Sequence, residues 1–422
     1  MSRSPAPSAV PSSRTHGMIS VEDHQERILG AAAPLPAVRI PLHDAFGLVL
    51  AEDVRRRWAL PLFDNSAMDG YAVRRADAVD GARLRVVADL PAGSSDEPAL
   101  GPGEAARIMT GAPVPADADA VVPLEETEEG TAVSSTPPSH VTVQRQPRPG
   151  AHIRRAGEDA AVDSVAVTAG TLLGPWHLSA IASAGHAHIA VHPRPRVAVI
   201  STGSELVSPD AEPLRGQIPE SNSVHLAAAV REAGADVVFA AIVPDDEAAL
   251  RRTLESIEAD AVILSGGASV GSFDVVKAVL NGMGGVRFDA VAVRPGKPQG
   301  FGPLDDGTLA FCLPGNPVAA AVSFELFVRP ALRALAGSPQ ARRPHRTAVA
   351  GSAWHSPRHR VQVLPAVLDG DTAHPVPRHA ASAPGTPTLA GTDALIVVPA
   401  GVEEVHGGDA VTVLPLGGGA LR

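Results

Sequence analysis

The sequence predicts a multidomain α/β protein, and three observations lead to that prediction. Apolar strand-like segments alternate with amphipathic helical segments between residues 195 and 335, a pattern typical of a parallel sheet covered on both faces. Short β-prone segments separated by Gly and Pro lie on either side of this region. The chain has 422 residues, with 40 Gly and 40 Pro, which is enough for several domains joined by tightly shaped loops.

Hydrophobic periodicity locates the elements of the central region. The predicted strands cover residues 197–200, 237–243, 261–264, 286–293 and 308–313. The predicted helices cover residues 224–233, 246–258, 273–280 and 318–335.

The flanking regions are more varied. A short helix is expected over 20–29, where Ser20 and Asp23 have the spacing of a capping box. A second helix is expected over 175–184, and a small β-rich domain extends from about 60 to 146. The predicted strands of these regions cover residues 84–87, 120–124, 141–143, 361–364 and 394–398.

Composition excludes several classes of protein. A formal net charge of −11 and 3% aromatic residues disfavour a nucleic-acid partner. The single cysteine, Cys312, rules out an internal disulfide and a cysteine-based zinc site. No apolar run approaches the roughly 18 residues that cross a bilayer. Residues 1–17 are rich in Ser, Pro and Arg, so we expect a disordered tail and a cytoplasmic protein that binds neither membrane nor nucleic acid.

Four loops follow predicted strands and are expected to meet at one edge of the sheet, where open α/β sheets bind ligands. They cover residues 201–206, 265–274, 294–300 and 313–317. Backbone N–H groups of Ser265, Gly266, Gly267 and Ser269 suit an anion cradle, with Arg294 and Lys297 adding positive charge. Each loop taken alone also fits an ordinary tight turn, but four together favour an anionic ligand.

Carboxylates also follow these strands, namely Glu205, Asp245, Asp246 and Asp274. Acids beside an anion site suggest Mg²⁺, which is commonly bound by one or two carboxylates together with substrate phosphate. Helix capping is the alternative for Asp246 and Asp274, because both directly precede predicted helices. Glu205 has no such explanation and is the stronger metal candidate.

A different chemistry is possible at Ser269. The segment GASVG, residues 267–271, matches the G-x-S-x-G nucleophile elbow between a strand and a helix. A serine hydrolase would need a later acid and histidine, and most candidate histidines lie in the apparently separate last domain. The pattern is short and often accidental, so it gives only weak support to a hydrolase.

The stretch FDNSAMDGYAV, residues 63–73, fits neither a helix nor a clean strand. Together with RIMTGAPVP (107–115), RRAGED (154–159), STGSEL (201–206), SGGASVGSFD (265–274), RPGKP (294–298) and LPGNPVA (313–319), it resembles the molybdopterin molybdenumtransferase family, which includes the enzymatic end domain of gephyrin. The order and spacing of the motifs match over residues 18–335.

The resemblance implies a four-part fold. After the tail at 1–17, it implies a discontinuous mixed linking domain at 18–60 and 153–192 and a β-rich domain at 61–152. A parallel α/β molybdopterin-binding domain at 193–337 and a C-terminal β domain at 338–422 follow. It also implies an elongated homodimer in which the β-rich domain of one subunit faces the α/β domain of the other.

The resemblance further implies a reaction. The substrates are molybdate and adenylylated molybdopterin, Mg²⁺ assists cleavage of the phosphoanhydride, AMP leaves, and the product is molybdenum cofactor. Implied partners are a molybdopterin adenylyltransferase and molybdoenzymes or their chaperones. Molybdenum requires soft ligands, and a lone cysteine within a predicted strand suggests that the sulfurs belong to the substrate.

Site residues carry over from the family motifs one position at a time. The implied catalytic residues are Asp69, Thr110, Asp159, Glu205 and Asp274, and the implied metal ligands are Glu205, Asp245 and Asp274. The implied substrate-binding residues are Ser201, Thr202, Gly203, Ser265, Gly266, Gly267, Ser269, Arg294, Lys297, Pro314, Gly315 and Pro317. In the first motif, Met68 and Tyr71 are expected to anchor the loop by burial, while Asp69 faces the neighbouring subunit.

Three stretches depart from the family pattern. Ser204 replaces a usual acid, and IPESNS (218–223) replaces a stretch that usually contains tyrosine. The segment 383–399 lacks an expected serine-rich stretch, and Pro384 and Pro387 stiffen it. The departure in the C-terminal domain supports an alternative hypothesis, a non-catalytic molybdopterin-binding or scaffold protein of the same fold.

Overall fold

The computed structural model describes residues 17–131, 136–266, 273–376 and 385–417, and at residues 273 and 274 it describes the backbone alone. The predicted tail therefore lies outside the described residues except for Gly17. Within the described ranges, no helix is both long enough and apolar enough to cross a membrane.

The first helix, Val21–Ala31, begins where the sequence predicts, because the Ser20 hydroxyl accepts a hydrogen bond from the Asp23 N–H. Its buried residues Val21 and Ile28 pack into the core of the α/β region. The helix, which the predicted boundaries assign to the linking region, therefore packs against the neighbouring α/β core. The helix is amphipathic, and its apolar face does not specify which core covers it.

The linking region combines two separate parts of the chain. A three-stranded sheet places His188–His192 between Val38–Pro41 and Val49–Leu50, and Val165–Val167 pairs with Val54–Arg55. The helix Pro175–Ser183 packs beside these strands, close to its predicted bounds.

The β-rich region is a five-stranded sheet. In spatial order its strands are Ala120–Pro123, Gly70–Val73, Glu104–Ile108, Arg83–Leu90 and His140–Thr142. The three strands predicted here are confirmed. Asn65–Ser66 of the first motif pairs with Ile153–Arg154, where the chain leaves the β-rich region and re-enters the linking region.

The α/β region contains a six-stranded sheet, which is mixed instead of wholly parallel. In spatial order its strands are Asp236–Val243, Arg196–Thr202, Ala261–Ser265, Leu309–Leu313, Pro298–Pro303 and Arg287–Ala290. The first four are parallel, and Pro298–Pro303 runs antiparallel to both of its neighbours. The sequence does not predict the strand Pro298–Pro303, because PQGFGP has weak β propensity. Its glycines fit by close packing: a Cβ on Gly302 would lie 2.3 Å from the Gly285 carbonyl oxygen.

The predicted strand 286–293 is divided between two sheets. Arg287–Ala290 joins the α/β sheet, whereas Val293–Arg294 pairs with Val361–Asp369 in the C-terminal domain. The apolar run is real, but periodicity alone does not show that its two halves belong to different domains.

Helices cover both faces of the α/β sheet, as predicted. Asn222–Glu232 and the segment Pro317–Ser323, Phe324–Val328 and Arg329–Leu335 contribute to one apolar core, while Glu247–Glu255 and Phe273–Asn281 contribute to the other. The long predicted helix 318–335 is confirmed, with a π-helical turn at Phe324–Val328.

The C-terminal domain is a β structure, as predicted. Its strands are Arg346–Ala350, Val361–Asp369, Thr372–Pro375, Ala394–Val398 and Ala410–Pro415, and their pairings close into a ring. A short helix, Thr386–Ala390, and a two-residue ladder of Trp354–His355 with Glu404–Val405 complete it. Arg343 connects this domain to the α/β region through ion pairs with Glu325 and Glu232 and a hydrogen bond to the Pro415 carbonyl.

Candidate functional site

The carboxyl ends of the parallel strands form the edge at which the sequence predicts a ligand site. Ser201, Ser265 and Leu313 lie side by side at the ends of three neighbouring strands. The Ser201 and Ser265 hydroxyls are buried and lie 3.0 Å apart. Both residues therefore stand where the sequence places them, but their hydroxyls bond inside the protein, so they shape the loops that carry the edge.

Glu220 is a central residue of this edge that sequence reasoning missed. Its side chain is only 3% exposed, and it accepts hydrogen bonds from the Ser201 hydroxyl at 2.7 Å and from the Ser223 N–H at 2.7 Å. It thereby joins a strand end to the start of the helix Asn222–Glu232. The only sequence signal is an acid directly before a helix, which does not reveal that the acid is buried.

The glycine loops at this edge are in close contact. Gly266 has a φ of +96°, and a Cβ at that position would lie 2.0 Å from the Thr202 carbonyl oxygen. A Cβ on Gly315 would lie 3.4 Å from the Gly266 Cα, so the loop after Leu313 touches the loop after Ser265. Only glycine permits this approach at Gly266, which leaves backbone groups available to a ligand. Gly267 and Ser269 lie outside the described residues, so their predicted binding roles stay predictions.

Two buried oxygens at this edge have no hydrogen-bond partner within the described part of the chain. They are Thr202 Oγ1 and Asp245 Oδ1. Buried polar atoms normally have partners, so unpartnered ones at a strand edge are sites for water, a metal ion or a substrate atom.

The predicted acids take different positions. The Ser204 N–H donates to Asp245 Oδ2 at 3.0 Å, which leaves Oδ1 turned elsewhere. Glu205 is exposed, and its carboxylate lies against Gly203, where a Cβ would come within 2.8 Å of it. Asp246 caps its helix by accepting from the Ala249 N–H at 2.7 Å, so the capping alternative is confirmed for that residue.

The remaining acid, Asp274, lies in the first turn of the helix Phe273–Asn281, but its side chain lies outside the described residues. Its predicted roles stay predictions. No group of three or more His, Cys, Asp or Glu side chains suited to a metal occurs among the described residues. The acids that the structure does describe would thus need substrate oxygens to complete a metal site.

The basic and proline-containing loops lie at the same edge. Arg294 and Lys297 are exposed, on either side of the buried Gly296. In the LPGNP loop, Asn316 caps the following helix, which begins at Pro317. The Asn222 amide donates to the Gly315 carbonyl at 2.8 Å, so this loop is also tied to the Glu220 segment.

A second polar cluster lies in the β-rich domain. Asp69 Oδ1 accepts hydrogen bonds from the Thr110 N–H at 2.7 Å and the Thr110 hydroxyl at 2.8 Å. Both hydrogen bonds lower the pKa of Asp69, and the bond from the Thr110 N–H has the larger effect. An exposed carboxylate that stays ionised is therefore presented by a fixed loop, and two predicted residues from separate motifs are brought together.

The rest of the first motif holds that loop in place. Asp64 accepts from the Ala156 N–H and from Arg155, and these bonds lower its pKa, with the backbone bond contributing most. Tyr71 is 3% exposed, as expected. The expectation that Met68 is buried is wrong, since it is 37% exposed. Its backbone bonds with the Ser66 hydroxyl hold the turn instead of side-chain burial.

The third implied residue of this cluster, Asp159, is exposed, and its N–H donates to the Leu60 carbonyl. Within the described ranges, no recorded hydrogen bond or ion pair joins Asp69, Thr110 or Asp159 to the residues of the α/β edge. Among the described residues of one chain, the candidate site therefore consists of two clusters that share no hydrogen bond or ion pair.

Three family models match successive parts of the chain. The MoeA N-terminal region (domain I and II) matches residues 19–185, a probable molybdopterin binding domain matches 198–334, and the MoeA C-terminal region (domain IV) matches 347–416. The second match contains the strand edge, and the first contains Asp69, Thr110 and Asp159.

Similar proteins extend over nearly the whole chain. A solved structure of the molybdopterin biosynthesis MoeA protein from Pyrococcus horikosii is 30% identical, covers 95% of this chain and 100% of its own, and has a TM-score of 0.82. Molybdopterin molybdenumtransferase 1 of Mycobacterium tuberculosis is 37% identical over 94% of this chain and 98% of its own length. Molybdopterin molybdenumtransferase 2 of the same organism is 43% identical over 94% of this chain and 100% of its own length. The chain belongs to the molybdopterin molybdenumtransferase family.

Proposed function

We propose that this protein inserts molybdenum from molybdate into molybdopterin and so acts in molybdenum cofactor biosynthesis. The observation that carries the proposal is the strand edge, where Thr202 Oγ1 and Asp245 Oδ1 are buried without a hydrogen-bond partner among the described residues, beside tightly packed glycine loops. This edge lies within the part of the chain that matches a probable molybdopterin binding domain. The relatives that cover nearly the whole chain are named as molybdopterin molybdenumtransferases.

The proposed pterin substrate is adenylylated and therefore carries negatively charged phosphates. The backbones of Gly266 and Gly315 approach each other closely enough to line a phosphate site. Arg294 and Lys297 are exposed on the loop before the strand Pro298–Pro303, where their charges can reach an anion. These groups orient the substrate, and the buried Ser201, Ser265 and Glu220 keep the loops rigid.

The acids at the edge fit Mg²⁺. The unpartnered Asp245 Oδ1 and the exposed Glu205 are oxygen donors beside the proposed phosphate site, and Asp274 would be the third protein ligand. Mg²⁺ usually combines one or two carboxylates with substrate oxygens, so the small number of described donors suits it. Bound there, Mg²⁺ would neutralise phosphate charge during release of AMP.

The sulfur that holds molybdenum must come from the substrate. Cys312 is buried in the strand Leu309–Leu313, and burial raises the pKa of its thiol. A buried, protonated thiol is neither accessible nor in the form that binds metal. We therefore assign the soft ligands to the dithiolene of molybdopterin.

The second cluster, around Asp69, completes the site from another subunit. Leu62, Phe63 and Met68 are exposed beside it, at 58%, 46% and 37%, and a group of exposed apolar side chains on one loop is typical of a surface that a partner covers. We propose a homodimer in which Asp69, Thr110 and Asp159 of one subunit face the α/β edge of the other. We also propose a cytoplasmic location, and partners comprising a molybdopterin adenylyltransferase and molybdoenzymes or their chaperones.

The test is incubation with adenylylated molybdopterin, Mg²⁺ and molybdate, with AMP and molybdenum cofactor measured. Glu205→Ala and Asp274→Ala should lose AMP release while size-exclusion chromatography still shows a dimer. Asp236→Ala is the matched control, because Asp236 is an exposed acid at the opposite end of the same sheet. Full activity of both site variants would contradict the proposed reaction.

A scaffold function remains the second candidate because of the C-terminal domain. Pro387 lies in the first turn of the short helix Thr386–Ala390, within the segment that departs from the family pattern. Binding of molybdopterin without turnover, or failure to complement a mutant that lacks molybdenum insertion, would favour a scaffold. The hydrolase hypothesis depends on Ser269, which lies outside the described residues, and labelling of that serine by an activity-based probe would be needed to revive it.

A further inference from the structure

A positively charged cleft lies in the β-rich domain, outside the clusters described above. Its volume is about 470 Å³, and its walls include Arg145, Arg148, His152, Gln146 and Glu126. The chain as a whole has a formal net charge of −11, whereas the two arginines and one glutamate of this cleft give it a formal charge of +1.

The arginines of the cleft are available to a ligand. The closest contact between Arg145 and Glu126 is 3.8 Å, too long for a hydrogen bond, and the Arg145 side chain is 79% exposed. No ion pair or side-chain hydrogen bond of Arg148 is recorded within the described ranges. A guanidinium group presents several N–H donors in one plane, an arrangement that matches two oxygens of a tetrahedral oxyanion.

His152 supplies a second, independent observation. Its φ is +57°, one of three positive values among the non-glycine residues that the structure describes. Residues other than glycine adopt this conformation rarely, and those that do are often found at functional sites. Here the conformation places an imidazole, a third group able to donate to an anion, in the wall of the cleft.

The cleft is connected to the Asp69 loop by backbone hydrogen bonds. The Ala67 N–H donates to the His152 carbonyl at 2.8 Å, and the Leu124 N–H donates to the Asp69 carbonyl at 3.1 Å. Leu124 begins the short helix Leu124–Glu126 that ends in the cleft wall. An anion bound in the cleft would therefore lie beside the loop that we assign to the catalytic centre.

We propose that this cleft is a binding site for a free tetrahedral oxyanion, and that the oxyanion is molybdate held before its use at the catalytic edge. The choice of molybdate rests on the proposed function, because that reaction consumes molybdate, whereas the oxyanion chemistry rests on the two arginines and His152. Inorganic phosphate is also a tetrahedral oxyanion and could occupy the cleft, so the experiment compares molybdate with phosphate.

The experiment is equilibrium dialysis of the full-length protein with molybdate alone, in the absence of pterin. It is performed on an Arg294→Ala/Lys297→Ala background, which removes the proposed anion contacts at the sheet edge. One molybdate should remain bound per chain. Adding Arg145→Ala/Arg148→Ala should weaken that binding by about tenfold or more, because each charge-assisted bond contributes at least a factor of that order.

A matched control is Arg39→Ala/Arg57→Ala on the same background. It removes the same formal charge from exposed positions of the linking region and should leave the affinity for molybdate unchanged. Arg148→Lys, which keeps the charge but loses the planar donors, should fall between the wild-type and double-alanine affinities and is a second variant if the latter folds poorly.

Equal binding with and without Arg145 and Arg148, or no molybdate bound at all, would overturn the proposal. Displacement of molybdate by an equal concentration of phosphate would overturn the assignment to molybdate, and its retention would support it. Dialysis measures binding and not turnover, so its outcome is independent of the AMP-release assay of the proposed function. Molybdate binding in the cleft without AMP release would refute the proposed function and leave the site supported. AMP release without molybdate binding in the cleft would refute the site alone.

Discussion

Replacing Glu220 with alanine should loosen the strand edge more than any single change on the surface of the α/β region. The carboxylate is buried and accepts three hydrogen bonds, from the Ser201 hydroxyl, the Ser223 N–H and the Ser223 hydroxyl. These bonds join the strand Arg196–Thr202 to the helix Asn222–Glu232, and through Ser201 they extend to Ser265.

The structure sets the size of the effect. A hydrogen bond to a charged group contributes about 1.5–3 kcal/mol, so three independent bonds would give at least about 4.5 kcal/mol. They are not independent, since Ser201 keeps its contact with Ser265 at 3.0 Å and the half-buried Ser223 can reach water. We therefore expect a loss of about 3 kcal/mol in the free energy of unfolding of the α/β domain. Glu220→Gln keeps the shape and an acceptor, and should lose about 1 kcal/mol.

The assay must report on the α/β domain itself. All three tryptophans, Trp58, Trp176 and Trp354, lie outside it, so their fluorescence would follow the other domains. Native-state hydrogen exchange of the strands Arg196–Thr202 and Ala261–Ser265 measures the local opening free energy directly. A change below about 0.5 kcal/mol in Glu220→Ala would refute the reasoning, because surface substitutions commonly reach that size.

Three further predictions follow from the same structure. Gly266→Ala should lower the free energy of unfolding by more than about 3 kcal/mol, because the new Cβ would meet a backbone oxygen at 2.0 Å. Gly103 is the control, since it has a φ of +73° and open space around it, and Gly103→Ala should cost only about 1 kcal/mol. Thermal unfolding measures both variants. Burial, followed by the nearby Arg27 charge, lowers the pKa of His24 from 6.5 to about 3, so below pH 6.5 the unfolded chain takes up a proton that the folded chain does not. Stability measured by calorimetry should then fall by about 1.4 kcal/mol per pH unit from pH 6.5 towards pH 3, and His24→Gln should flatten that slope. Asp69→Asn keeps the oxygen that accepts both bonds from Thr110, so it should unfold within about 1 kcal/mol of the wild type yet lose about 100-fold in AMP release; normal turnover would return this loop to a structural role.

Local patterns in the sequence were reliable wherever one element's own residues decide its form. Ser20 and Asp246 start helices as predicted because an N-cap needs only its own side chain and a backbone N–H three residues later. The strands Ala261–Ser265 and Leu309–Leu313 are apolar throughout because both of their faces are covered.

Errors arose where an element's partner lies far away in sequence. The pattern predicts one strand over 286–293, but residues 287–290 pair with 298–301, whereas Val293 and the following Arg294 pair with 361–362. The sequence does not predict the strand Pro298–Pro303, because glycine lowers β propensity and its advantage here, close packing against neighbouring strands, is visible only in the folded sheet. Met68 was predicted to be buried because its type is usually inside, yet it is 37% exposed.

Motifs and hydrophobic periodicity lie in neighbouring positions, so the sequence alone identifies the family and the fold class. Which polar groups are buried together becomes visible only in the folded chain. Glu220 is central because Ser201 and Ser223 converge on it, and Asp69 is fixed because Thr110, in another motif, turns towards it. Burial and hydrogen bonding between distant residues depend on the packing of the whole chain, and no local pattern contains that information.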